Sequence, residues 1–149
     1  MASKNLWPSK ATILSLGENA PSTILAQQAE LLKEFNPSLY GKVIEAKYAY
    51  GTLSQYMFED NYNPGIDGYY STTRQLLAFK LIVGKLNISY KFDVVLIRFF
   101  DTELYPVEVF DVINSTHYNI PSREEFENCL SDIFSSPECL KKLRYILKA

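Results

Sequence analysis

Two apolar segments joined by a short turn decide the fold of this chain, in residues 74–100, RQLLAFKLIVGKLNISYKFDVVLIRFF. In residues 74–83, apolar residues alternate with polar or small ones at Leu77, Phe79, Leu81 and Val83, which favours a strand. A helix stays open as the alternative there, because the period of the whole segment is not decisive. Residues 88–100 predict a second strand. The connection between the segments is too short for the crossover that parallel strands need, so the pair is predicted to be antiparallel.

Two further strands are predicted on either side of this pair. Residues 42–52 alternate with a period of two. Residues 104–112 also read as a strand, and Pro106 inside it favours an edge position or a bulge. Residues 53–73 are rich in turn-forming residues and predict a long irregular stretch, and residues 114–119 predict a polar connection.

Helices are predicted before and after the strands. The first begins near Pro21 and ends at Asn36–Pro37, where the chain cannot continue as a helix. Residues 122–125 form a capping box that starts a second helix, and Ser136–Pro137 starts a third. The apolar stripes expected to face the core include Ile24, Leu25, Leu31, Leu32 and Phe35 in the first helix and Leu140, Leu143, Ile146 and Leu147 in the third.

The order helix, four strands, two helices (α-β-β-β-β-α-α) predicts an α+β domain with a mostly antiparallel sheet and helices packed on one face. The chain has 149 residues, of which 47% are hydrophobic, and this is enough for one domain over residues 1–149. Residues 1–18 are expected to be a loosely ordered N-terminal segment.

Several classes of protein are excluded or disfavoured by composition. Two Cys and one His are too few for a four-ligand zinc site, so no metal and no other cofactor is expected. No apolar run is long enough for a secretory signal or a membrane span, and the expected location is the cytoplasm. Free, half-buried thiols are the favoured interpretation of Cys129 and Cys139, and a nucleophile pair with His117 stays open because such residues need to meet only in space.

Charged residues are unevenly distributed along the chain, although the net charge is only −2. Residues 101–132 hold eight acidic residues and one basic residue, whereas the last twelve residues carry a net charge of +3. An acidic surface attracts basic partners and repels DNA, so no nucleic acid is expected to bind. The acids predicted to contact a partner are Glu124, Glu125 and Glu127. The alternative is that these side chains are only solvated.

The predicted loop at residues 53–73 is rich in aromatic residues, and we call it the aromatic loop. The residues predicted to bind a partner there are Tyr56, Phe58, Tyr62, Tyr69 and Tyr70. Aromatic residues of this kind are enriched at protein interfaces. The alternative is that the loop folds back and covers the open face of the sheet.

Residues 43–47, VIEAK, resemble the strand motif of metal-dependent nucleases. The resemblance covers these five residues only. It implies that Glu45 binds Mg²⁺ and that Lys47, two positions further along the strand, points the same way toward the scissile phosphate. Such enzymes place a second metal-binding acid on a strand just upstream, and this chain has no room for that strand. The alternative is an ordinary Glu/Lys pair on a strand.

Two functions follow as hypotheses. Because standard catalytic motifs are missing, the favoured one is a small cytosolic interaction module that binds a basic protein through its acidic surface and aromatic loop, as an inhibitor or immunity-type protein does. The other is a metal-dependent phosphodiesterase or nuclease that uses Glu45 and Lys47. Homo-oligomerisation through residues 104–112 or the aromatic loop is a third interpretation.

Overall fold

The computed structural model describes residues 4–10, 17–48, 57–58 and 76–148. Within these residues the helices are α1 (Pro21–Phe35), α2 (Arg123–Phe134) and α3 (Pro137–Lys148), and the strands are β1 (Leu39–Tyr48), β2 (Met57–Phe58), β3 (Leu76–Lys85), β4 (Lys91–Phe100), β5 (Val107–Asp111) and β6 (Thr116–Ile120). The strands form one sheet in the spatial order β2-β1-β3-β4-β5-β6, and every neighbouring pair is antiparallel. The predicted α+β class and antiparallel sheet are confirmed.

Of the segment that admitted two interpretations, residues 76–83 belong to strand β3, and residues 74 and 75 lie outside the described residues. β3 pairs with β1 on one side and with β4 on the other, which places it at the centre of the sheet. Buried residues lie on both faces of β3, Ala78 and Ile82 on one face and Leu81 and Val83 on the other, and this explains why its apolar residues do not follow a clean alternation.

The sheet contains more strands than the four that were predicted. β6 lies where a polar connection was expected, and the two-residue β2 lies within the stretch that was expected to be irregular. In β6, Thr116, Tyr118 and Ile120 occupy one face and His117 and Asn119 the other, as their pairing with β5 shows. The alternation of apolar and polar residues that predicts a strand is absent from this segment. Both faces carry polar residues, and only one of the five positions, Ile120, is aliphatic.

The strand predicted at residues 104–112 is shorter than expected. β5 begins at Val107, and Pro106 precedes it instead of lying inside it. The edge position inferred from Pro106 is wrong, because β5 is hydrogen-bonded to β4 on one side and β6 on the other. The missing amide hydrogen of Pro106 costs no ladder hydrogen bond, since the ladder starts one residue later.

A bulge in β4 lets two consecutive valines face the helices. Leu81 pairs with Val95 and Ile82 pairs with Asp93, so Val94 has no partner in β3. Strict alternation would send one of the two valines to the opposite face. Both are instead buried in the core with relative exposures of 2% and 0%.

All three helices pack against the same face of the sheet, as predicted. Their buried side chains share one core cluster with the side chains of that face, which we call the helix face. The most completely buried members include Leu25 of α1, Phe126 of α2 and Ile146 of α3, together with Ile97 of β4. The opposite face carries a smaller apolar cluster around Ala78 and Leu96.

Glycine allows α1 to approach β1 closely. A Cβ atom on Gly41 would lie 2.8 Å from both Cα and Cβ of Ala29, which is too close for any real contact. The small Ala29 and the absent side chain at Gly41 together form the crossing point of the helix over the strand. This contact fixes the height of α1 above the sheet.

Replacing Gly41 with alanine is therefore expected to destabilise the fold by about 1–3 kcal/mol, the usual cost of overpacking a core. Without the clash, the change would stabilise a strand, because glycine loses more conformational entropy on folding than alanine. Urea unfolding of Gly41→Ala gives the free energy of unfolding. Ser89→Ala, at an exposed site, serves as the control, and an unchanged or higher midpoint for Gly41→Ala would show that α1 does not cross β1 at this distance.

Candidate interaction surface

The acid-rich side of α2 faces solvent along the whole helix. Ser122 caps the helix, and its hydroxyl accepts a hydrogen bond from the amide of Glu125 at 3.3 Å, as the capping box predicts. Phe126, Leu130 and Ile133 turn toward the core. The acids of this helix lie on the other side, and Glu124, Glu125, Glu127 and Asp132 are all exposed.

The three predicted contact acids are not electrostatically equivalent. Arg123 donates from Nε to Oε1 of Glu127 at 2.7 Å, and the same guanidinium contacts the side chain of Asn19. The hydrogen bond to Glu127 is the main reason why the pKa of Arg123 is raised. Within the described residues, Glu124 and Glu125 form no ion pair. The charge of Glu127 is thus partly compensated, whereas the charges of the other two are not.

A groove of about 260 Å³ lies between α2 and the outermost strand, β6. Its lining residues are Tyr118 and Ile120 from the strand and Glu125, Asn128, Cys129 and Asp132 from the helix. Sequence reasoning missed this groove because it missed β6. The sequence does contain one signal for the groove. The spacing of Glu125, Asn128 and Asp132 places these three residues on one side of a helix.

A buried carboxylate connects the β5–β6 turn to the helices. Asp111, 2% exposed, accepts hydrogen bonds from the amide nitrogen of Asn114 at 3.1 Å and from its side-chain Nδ2 at 2.7 Å. That Nδ2 also donates to Oγ of Ser136 at 3.3 Å, in the α2–α3 junction. Ser136 in turn donates to the carbonyl of Ile133 at 2.8 Å. These bonds fix the position of β6 relative to α2.

The aromatic loop lies largely outside the described residues. This applies to Tyr56, Tyr62, Tyr69 and Tyr70. Phe58 belongs to β2, where its backbone is paired with Ala46. A binding role for these five residues stays a prediction.

Glu45 and Lys47 lie two residues apart on β1. Glu45 is paired with Phe79, at a register position on the helix face, and partial burial raises the pKa of its carboxyl group. A carboxylate that binds a cation has its pKa lowered by the cation's charge. Among the residues that the structure describes, no three His, Cys, Asp or Glu side chains are grouped so that they could hold a metal ion. The phosphodiesterase hypothesis stays a prediction.

The only histidine does not meet either cysteine. His117 stacks on Phe110 with ring centroids 4.4 Å apart, and Phe110 packs against the smaller cluster on the face opposite the helices. Cys129 and Cys139 lie on the helix face, the first packed against the main core and the second buried. The nucleophile pair left open by the sequence is absent, because alternation along β6 turns His117 away from the helices.

An apolar cleft separates α1 from α3. It has a volume of about 350 Å³, and its floor is formed by β3 and β4. Three residues of the predicted core stripes border it and are exposed: Leu31 (47%), Phe35 (68%) and Leu140 (51%). The prediction that these side chains face the core is wrong. Both helices pack on the sheet beneath them, so the parts of their stripes that face each other across the cleft remain open.

Comparison with protein-family models finds no matching family, and no curated protein or solved structure matches the chain. Among the described residues, no helix combines the length and the apolar character needed to cross a lipid bilayer.

Both thiols are expected to react slowly. Burial, followed by the charges of nearby acids, raises the pKa of Cys129 and of Cys139 from 9.0 to about 11. At pH 8 the thiolate fraction falls from roughly 10% to the order of 0.1%, so alkylation by iodoacetamide should be about a hundredfold slower than in the unfolded chain. The rate should continue to rise with pH up to about 11, because a raised pKa delays formation of the thiolate.

Mass spectrometry of the folded protein and of the urea-unfolded protein measures both alkylation rates. The single variants Cys129→Ser and Cys139→Ser assign each rate to one thiol. Alkylation of the folded protein as fast as that of the unfolded chain would show that neither thiol is shielded.

Proposed function

We propose that this chain is a protein-interaction module that binds a basic protein through the acid-rich side of α2, as a cytoplasmic inhibitor or immunity-type protein. The observation that carries the proposal is Asp132, an exposed acid in the last turn of the helix, where no basic residue accompanies it. The negative end of a helix dipole disfavours an acid at this position.

The stability of the helix explains only part of its charge. Glu124 and Glu125 lie in the first turn, where the positive end of the helix dipole favours acids. Asp132 opposes the dipole, so the acidic character of α2 extends beyond what the helix needs for its own stability. A continuous acidic side is what a basic partner recognises, since complementary charge accelerates association and fixes orientation.

The same electrostatics argue against a nucleic-acid ligand. Phosphate backbones bind to clusters of Lys and Arg, and Arg123 is the only basic residue of α2. The aromatic residues at 53–73 belong to the proposed interaction as a second contact area, because aromatic anchors commonly supply much of the binding energy of interfaces.

Reversing the charge at the start of α2 should slow association with the partner. The double variant Glu124→Lys/Glu125→Lys is expected to lower the association rate constant roughly tenfold at low ionic strength, and the difference should shrink as salt screens the charges. Surface plasmon resonance with the purified partner, at several salt concentrations, measures this effect. Circular dichroism shows whether the variant is folded, and Glu124→Gln/Glu125→Gln repeats the test with a smaller loss of helix stability.

The partner is obtained by mild affinity purification of the tagged protein from its native host. The double variant Glu30→Lys/Glu34→Lys on α1 makes the same charge change on another helix and serves as the matched control. A basic protein that binds in equal amounts to the wild type and the control, is lost from the α2 variant and is released by high salt is the expected result. Capture that is insensitive to salt and to the α2 substitutions would refute an acidic contact surface.

A further inference from the structure

β6 is an open edge of the sheet. It is the last strand in the spatial order, with β5 on one side, and within the described residues no other strand follows it. Alternate residues of such a strand direct their amide and carbonyl groups away from the sheet, where they can pair with an added strand. Natural edge strands are usually protected by charged side chains, and the five residues of β6, THYNI, include no Lys, Arg, Asp or Glu.

Acidic side chains lie beside this open edge. Glu125 and Asp132 line the same groove as Tyr118 and Ile120 of β6, so the outer side of α2 borders the space next to the strand. The acids are seven residues apart, which corresponds to about 10 Å along the helix. Tyr118, 42% exposed, offers an apolar surface in the same groove.

We propose that an extended, basic segment of the partner adds to β6 as a further strand and places Lys or Arg side chains against Glu125 and Asp132. This inference rests on the proposed function and names how the partner binds. Side chains on one face of a strand are separated by about 7 Å for neighbours and about 13 Å for next neighbours. Long basic side chains at the two outer positions can therefore reach both acids, with an apolar residue between them against Tyr118.

Charge complementarity favours a basic partner over a second copy of this chain. Antiparallel pairing of two β6 strands would bring Glu125 and Asp132 of one copy next to the same acids of the other. Like charges brought together in this way oppose association. Backbone pairing supplies affinity in strand addition, whereas the side chains along the groove supply specificity.

The test uses a short capped peptide of the sequence thr-lys-thr-val-thr-lys-thr and the full-length protein labelled with nitrogen-15. Titration followed by NMR is expected to shift and slow the exchange of alternate amides in residues 116–120, and the affinity should fall with added salt. A second peptide has the same sequence but carries N-methyl groups on the amides of one edge, and a third carries them on the other edge. Only the edge that pairs with β6 needs its amide hydrogens, so one methylated peptide should bind and the other should not.

Charge variants separate the two parts of the proposed contact. Glu125→Gln/Asp132→Asn should weaken binding of the peptide roughly tenfold, equivalent to about 1.4 kcal/mol. Glu30→Gln/Glu34→Gln, on α1, should leave the affinity unchanged. Both substituted sites are exposed, so the variants are expected to fold, and the amide spectrum of each free protein confirms it.

The possible outcomes distinguish the pairing from the proposed function. If all three peptides bind equally and only α2 signals shift, the acidic contact stands and strand addition is refuted. If no peptide binds but capture of the native partner still depends on Glu124 and Glu125, strand addition is refuted and the proposed function stands. If no peptide binds and capture is also insensitive to charge, both proposals fail.

Discussion

The antiparallel pairing of β3 with β4 is the interaction on which the rest of the structure depends. These two ten-residue strands occupy the centre of the sheet, and the side chains of their helix face form the floor on which the helices pack. The bulge at Val94 enlarges the apolar area of that floor, because it adds Val95 to the same face. Burial of this surface is the dominant favourable term in folding. Without it, neither α2 nor the β5–β6 pair would have a defined position.

The parts of the fold that sequence reasoning predicted correctly are those with strong local signals. The capping residue Ser122 and the prolines Pro21 and Pro137 fix where helices begin, and their effects depend on neighbouring residues only. Strands β3 and β4 were recognised from their apolar residues and from the short turn between them, although the period of residues 74–83 was not decisive. Strand β6 was missed because its stability comes from pairing with β5 and from the Asp111–Asn114 hydrogen bonds. Such tertiary contacts cannot be recognised from the sequence of five mostly polar residues.

In the candidate site, too, features with a local sequence signal could be predicted, whereas features that depend on tertiary contacts could not. Glu124, Glu125 and Glu127 could be identified as exposed acids from the helical period alone. The i, i+4 spacing of Arg123 and Glu127 was also present in the sequence, whereas the contact of the same guanidinium with Asn19 depends on the tertiary fold. The groove lies between α2 and β6, and it could not be predicted because β6 was not recognised in the sequence. The exposure of Leu31 and Phe35 was equally hidden, because an apolar stripe does not show how far the next helix lies from it.

The hydrogen bonds of Asp111 have a consequence for the thermodynamics of the proposed strand addition. They hold the β5–β6 turn against the α2–α3 junction, so the groove beside β6 is already formed before any segment enters it. A preorganised receptor loses little conformational entropy on association, and the ordering cost then falls on the incoming segment. Stiffness in that segment, supplied by β-branched residues or by a framework that already holds it extended, would strengthen binding without any new contact. Selection for tighter binding would then act on the rigidity of the partner as readily as on its charge.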